Sequence, residues 1–141
     1  MIVLDTNVIS ELWRVVPDPA VRAWIDAQVV ETLYLSAVTV AELRLGIAVM
    51  SAGKRQRTYR DRLEREVLPA FAGRVLPFDL DAARHYADFM AQAQTAGRAI
   101  VQADGHIAAI AAARGFIVAS RDTSPFEAAG VRVVDPWKAE A

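Results

Sequence analysis

An α/β fold built on a mostly parallel sheet of four to five strands is what this chain predicts, and three observations carry the prediction. Short β-rich apolar runs recur along it, each followed by a helical pattern. The first run, Ile2-Val3-Leu4, has no polar interruption, as expected of a strand buried on both faces. Asp5-Thr6-Asn7, residue types that cap helices and close turns, follow it directly. Ligands of open parallel sheets gather outside the carboxyl ends of the strands, so Asp5 would stand at such an end.

Each element has a local reason. Val8 to Trp13 can form a short helix that ends before Pro17. Asp18-Pro19 supplies a cap and a proline at the first helical position, and Val21, Trp24 and Ile25, extended by Gln28-Val29, are expected on the inner side of the next helix. Thr32 to Leu35 is a second β-rich run bounded by Ser36, and Ser36 to about Met50 is helical in pattern. Lys54 to Leu68 reads as a heavily charged helix ended by Pro69 and Gly73. Arg74 to Phe78 is a short third strand, placed near an edge by its proline. Asp79 to Ala96 is an alanine-rich helix stopped by Gly97, and Ile100 to Ala113 is another, closed by Arg114-Gly115. Phe116 to Ser120 is a fourth strand, Asp122 to Pro125 opens a turn or short helix, and Val131 to Val134 is the last strand, before Asp135-Pro136-Trp137. No repeat, low-complexity segment or linker interrupts the pattern, so a single domain spanning 1–141 is expected.

Composition narrows the function. The 141 residues are 54% hydrophobic and 23% charged, which suits a globular domain with a real core and excludes a disordered chain. A formal charge of −1 argues against nonspecific coating of nucleic acid, while leaving room for a local basic patch. There is no cysteine, so disulfides and thiolate metal sites are ruled out. No signal peptide and no apolar run of membrane-spanning length is seen, so a soluble cytoplasmic protein with no membrane partner is expected.

Four carboxylates then draw attention. Asp5 and Asp122 each follow a strand, Asp122 after one arginine, and for both a helix N-cap is the ordinary explanation. Glu42 shares a helical face with Val38, Leu45 and Val49; the competing reading is a capping box with Thr39, weakened because Ser36 is the better-placed cap. Asp104 shares a stripe with Ile100, Ile107, Ala108 and Ala111 that should face the sheet, although a first-turn aspartate favoured by the helix dipole explains it equally well. An uncompensated buried charge costs several kcal/mol, so an inward Asp104 has to be paired, protonated or bound to a cation. Singly, each acid has an ordinary account. Jointly they fall at two strand ends and on two inward helical faces, which gathers them over one edge of the sheet. Two like charges ~4 Å apart repel by roughly 4 kcal/mol at an effective dielectric near 20. A divalent cation would hold such a group together, and oxygen donors without cysteine or a histidine cluster point to Mg²⁺ or Mn²⁺.

These residues resemble a known family. Val3-Leu4-Asp5-Thr6-Asn7, then Ser36 with Thr39, Ala41, Glu42 and Leu43, then Asp104 with Ile107 to Ala111, then Ser120-Arg121-Asp122 is similar to the PIN domain, and most to the VapC or FitB-like toxins of bacterial toxin–antitoxin pairs. Ile9 to Trp13, Leu76 to Asp79 and Asp135-Pro136-Trp137 also look FitB-like. The resemblance covers nearly the whole chain in the family's order. It implies a three-layer PIN-like fold and a Mg²⁺- or Mn²⁺-dependent endoribonuclease whose acidic cluster maps onto Asp5, Glu42, Asp104 and Asp122, with Thr6, Asn7 and Ser120 in support. Asp5 and Asp104 would hold the principal ion, with Glu42 and Asp122 completing its shell partly through water or helping to position a second ion. The resemblance further implies an RNA substrate, inhibition by a cognate antitoxin, pairing as a homodimer, and operator DNA reached only through the antitoxin.

Other features carry less. Lys54, Arg55, Arg57, Arg60, Arg62 and Arg65, interleaved with Asp61, Glu64 and Glu66, read first as a solvated, salt-bridged helix, with phosphate steering or antitoxin and dimer contact as alternatives. His85 and His106 do not form a metal pair by spacing and read as surface or packing residues. Trp13, Trp24 and Trp137 read as packing or interface groups. Two rivals stand beside the nuclease. An aspartyl-phosphate phosphatase would want a second acid at position 7, where this chain has Asn7, and a receiver-like domain would want its aspartate after a middle strand and a lysine after a late one. A catalytically inactive acidic-pocket interaction domain fits the same letters.

Overall fold

The computed structural model describes residues 1–138; the last three positions of the expected 1–141 span lie outside it. Five strands, β1 Ile2–Leu4, β2 Leu33–Ser36, β3 Val75–Leu76, β4 Ile117–Ala119 and β5 Val133–Val134, form one sheet in the order β3-β2-β1-β4-β5. Every pairing is parallel, with Val3 opposite Tyr34 on one side and Val118 on the other. β1 is therefore central. The chain leaves it for β2 on one side and later returns to β4 on the other, which makes the carboxyl end of β1 the switch point of the sheet. β3, the strand followed by Pro77, is an edge strand as its proline predicts.

Helices cover both faces and give three layers. α1 Thr6–Leu12, α2 Pro19–Asp26, α3 Ala37–Ala48 and α4 Lys54–Arg62 lie over Ile2, Leu4, Leu33 and Leu35. α6 Leu80–Thr95, α7 Gln102–Arg114 and α8 Ser124–Ala128 lie over Val3, Leu76 and Val118. Adjacent β1 residues thus feed opposite cores, the burial on both faces that the uninterrupted apolar run foretold. α6 and α7 meet closely at Gly105, where an added Cβ would lie 3.0 Å from Met90 Sδ and 3.1 Å from Tyr86 Cε2.

Local chemistry sets the boundaries. Asp5, Asp18, Ser36 and Asp79 cap α1, α2, α3 and α6 through their side chains. Gly115, at φ 69°, closes α7 with the paired bonds Phe116 N–H to the Ala111 carbonyl and Gly115 N–H to the Ala112 carbonyl. The charged helix does not end at Leu68. It passes through a widened turn at Leu63–Val67 and continues as α5 Leu68–Ala70. Pro69 has no N–H to offer the preceding turn, and the Leu68 N–H reaches back to the Leu63 carbonyl instead.

One face assignment is corrected. α3 buries Thr39, Leu43 and Ile47, whereas Leu45 and Val49 are 65% and 74% exposed and Glu42 is exposed with them. Glu42 is therefore not on the inward stripe assigned from sequence. The helix is apolar on several sides (Val38, Val40, Leu43, Leu45, Ile47), so its pattern had no direction, and docking against the sheet chose the Thr39 side. Asp104 does follow its expected stripe, since Ile100, Ile107, Ala108 and Ala111 are all buried. His106 packs between Phe78 and Tyr86, its ring centroid 4.7 and 4.6 Å from theirs, a packing role as expected. Lys54, Arg55, Arg57 and Arg60 lie on an exposed face, and Glu64 on the following turn pairs with Arg44. Among the described residues no helix is long and apolar enough to cross a membrane.

Candidate active site

The carboxyl ends of β1, β2 and β4 place Asp5, Ser36 and Ser120 side by side at the switch point. All three are buried. Asp5 is the N-cap that the ordinary reading proposed, with Oδ1 accepting the Thr6 N–H at 2.8 Å. It is also more than a cap. Its Oδ2 accepts the hydroxyl proton of Ser120 at 2.7 Å, so both oxygens are oriented and each retains acceptor capacity. Ser120 Oγ in turn accepts from Asn7 Nδ2 at 3.1 Å and from the Asp122 N–H at 3.2 Å. Asn7 Oδ1 accepts the Arg121 N–H at 3.3 Å, which fastens the turn after β4 to the first turn of α1.

Glu42 reaches the same place from α3. Its Oε1 accepts the Thr6 hydroxyl at 2.7 Å, so the capping box is not formed. Thr6 Oγ1 also lies 3.1 Å from Thr39 Oγ1, which lies 3.3 Å from Ser36 Oγ. A hydroxyl has one proton. Thr6 gives its own to the carboxylate, Thr39 gives to Thr6 and Ser36 to Thr39, a row of hydroxyls all pointing their protons toward Glu42.

Asp104, in the first turn of α7, completes the lining from the other face of the sheet. Asp5, Glu42 and Asp104 share one open cleft of about 600 Å³ with Thr6, Asn7, Ser10, Glu11, Arg14, Arg121 and Trp137. Asp122 is exposed beside it; Thr123 rather than Asp122 holds the cap position of α8, and the Asp122 charge is still felt in the cleft. The carboxylates disturb one another. Burial pushes the Asp5 carboxyl up from its ordinary value, the Ser120 and Thr6 hydrogen bonds oppose this, and the Glu42 and Asp122 charges add to it. Asp104 is pushed up to about 6, first by burial and then by Asp5, Asp122 and Glu42. Among the described residues no three acids converge at direct metal-ligand spacing.

Glu11 and Trp137, which entered the sequence reading within stretches that look FitB-like and were given no role at the site, also line this cleft. Glu11 is 5% exposed and accepts from Arg14 at 3.3 Å, from the Asp18 N–H at 3.2 Å and from Trp137 Nε1 at 3.3 Å. Arg121 lies over the Trp137 ring, 5.3 Å from its centroid. Helical spacing held part of the signal, since Glu11 stands four residues after Asn7 on the same face of α1. Trp137 is 126 positions away from Glu11, and nothing local announces it.

Comparison with known proteins agrees with this geometry. Residues 2–131 match the PIN domain family. The chain is 70% identical over 138 residues to VapC ribonuclease Y4jK of Sinorhizobium fredii, an alignment covering 98% of this chain and 99% of that protein. It is 52% identical to toxin FitB of Neisseria gonorrhoeae, covering 97% and 99%. The solved structure of FitAB bound to an IR36 DNA fragment superposes with a TM-score of 0.95 at 50% identity, over 100% of this chain and 99% of that one. An acid-lined cleft at the switch point of a parallel sheet is thus carried by a chain that aligns end to end with such relatives, and the chain belongs to the PIN-domain family, among its VapC- and FitB-like members.

Proposed function

We propose that this chain is a Mg²⁺- or Mn²⁺-dependent endoribonuclease, the toxin of a type II toxin–antitoxin pair. In this reading a cognate antitoxin restrains it in the cytoplasm, it pairs as a homodimer, and it meets operator DNA only through that antitoxin. The observation that carries the reading is the shared cleft of Asp5, Glu42 and Asp104, brought together from positions 5, 42 and 104 with their carboxyl groups mutually repelling. The names of the aligned relatives, a ribonuclease and a toxin, support the reaction and the role, and the FitAB structure on DNA supports the antitoxin and operator.

The donor set fits a hard divalent cation, because the cleft presents carboxylate and hydroxyl oxygens and no sulfur or imidazole. Asp5 and Asp104 would hold it, with Glu42 and Asp122 reached through water, a mode that suits Mg²⁺ and acids lacking direct-ligand spacing. When bound, such an ion acidifies a water and offsets charge developing on a phosphodiester. The chain's own residues do the positioning. Ser120 and the Thr6 N–H keep the Asp5 oxygens aimed, and the hydroxyl row from Ser36 holds Glu42 at the rim.

The test is cleavage of RNA by the purified chain. Activity should vanish in EDTA, return with Mg²⁺ or Mn²⁺, and be absent from Asp5→Asn although that variant folds. Cleavage that persists in EDTA, or equals the parent's in Asp5→Asn, would overturn the assignment.

A further inference from the structure

A cleft walled by carboxylates repels the phosphates of the substrate proposed above, so something in it must hold a polyanion. Among the described residues two cations line it, Arg14 and Arg121. Arg14 is paired with Glu11 at 3.3 Å. Among the described residues Arg121 has no carboxylate partner within salt-bridge distance. Its guanidinium is nonetheless not adrift. It lies over the Trp137 ring, which is held by Nε1–H to the buried Glu11 at 3.3 Å, while the Trp137 backbone N–H donates to Asp135 Oδ1 at 2.9 Å. The Arg121 backbone is fixed too, through Asn7 to Ser120 and from there to Asp5.

We propose that Arg121, seated on Trp137, is a phosphate-binding subsite of the cleft that grips the RNA backbone beside the acids. The inference rests on the ribonuclease reading and adds to it a residue that the acidic cluster does not include. The chemistry is selective. A planar guanidinium offers paired N–H donors to a phosphate, and an aromatic platform restricts its swing without consuming those donors. Glu11 acts through Trp137 and is a positioning residue. It also pairs with Arg14, so that among the described residues Arg121 is the cleft arginine without a carboxylate partner.

The experiment measures binding and cleavage of a fluorescein-labelled single-stranded oligoribonucleotide by the full-length chain over a range of salt concentrations. Binding is read in the Asp5→Asn background, and cleavage in the otherwise unaltered protein. Arg121→Ala should weaken binding roughly tenfold and lower the slope of log affinity against log salt by about one phosphate's worth. In cleavage it should raise KM far more than it lowers kcat. Arg121→Lys should keep the salt slope while losing part of the affinity, because the charge stays and the fork goes. Trp137→Phe, which keeps a ring and loses the Glu11 bond, should fall between parent and Arg121→Ala. Its thermal midpoint separates a local loosening from a fold lost outright, and Arg121→Lys serves if it does unfold. A parent that cleaves RNA beside an Arg121→Ala protein of equal KM and equal salt slope would overturn the subsite alone. A chain that binds RNA with the Arg121-dependent slope and cleaves none would overturn the ribonuclease reading and support the subsite. No binding by the Asp5→Asn chain would overturn the subsite whatever the parent's activity.

Discussion

Replacing Asp104 by asparagine should stabilise the metal-free protein at neutral pH while ending its proposed activity. The Asp104 carboxyl is pushed from 3.8 up to about 6, by burial and by three neighbouring acids. Two units at roughly 1.4 kcal/mol each set a ceiling near 3 kcal/mol. The side chain is only partly buried, and solvent screening reduces this to about 1–2 kcal/mol. Asp104 also lies in the first turn of α7, where losing its charge forfeits ~0.5 kcal/mol of helix-dipole stabilisation. A net gain near 1 kcal/mol follows for the variant. The sign is fixed by linkage: the folded state binds the proton more tightly than the unfolded chain, so the cost is full above pH 6 and fades as pH falls through 6 toward 3.8. Asparagine has nothing to titrate there. Melts in EDTA should therefore place Asp104→Asn roughly 2–5 °C above the parent at about pH 8, with the difference closing by about pH 4. A variant that melts at or below the parent at pH 8, or one whose offset is the same at both ends, would refute the idea of a strained acid cluster.

Three other substitutions probe the supports. Ser120→Ala removes a fully buried hydroxyl that serves Asp5, Asn7 and the Asp122 N–H, and should cost about 1–3 kcal/mol in denaturant unfolding and depress cleavage with it. Thr39→Val keeps the shape of a fully buried side chain but breaks the hydroxyl row behind Glu42; a loss of about 1–2 kcal/mol in the same assay is expected, and a neutral result would show the row to be incidental. Gly105→Ala pits ~1 kcal/mol of helix propensity against overpacking of about 1–3 kcal/mol. Because Tyr86 is itself packed against Phe78 and His106, it has little room to yield, and a net loss near 1 kcal/mol in a thermal melt is expected.

Much of this architecture is written locally. The apolar run before Asp5, the caps Asp18, Ser36 and Asp79 and the stop at Gly115 each act within a few residues, and each lies where its chemistry places it. Asp104 was legible in part, because Ile100, Ile107, Ala108 and Ala111 stand in helical register with it and are buried; α7 buries Ala109 and Ile110 as well, so the stripe alone did not decide its direction. Glu42 belonged to the right set for a wrong reason. Its helix is apolar nearly all round, and it reaches the cleft from an exposed position through Thr6 rather than from an inward face.

What the amino-acid order by itself determined is the alternation of strands and helices and the placing of Asp5 at a strand end. Those are short-range matters of capping, periodicity and β propensity. Only the folded chain decided the rest: that β1 is central, that Ser120 orients Asp5 across 115 positions, and that Trp137 comes back to meet Glu11 and carry Arg121. The physical reason is that strand order and long-range hydrogen bonds are settled by packing two cores against one sheet. No window of sequence contains both partners of such a contact.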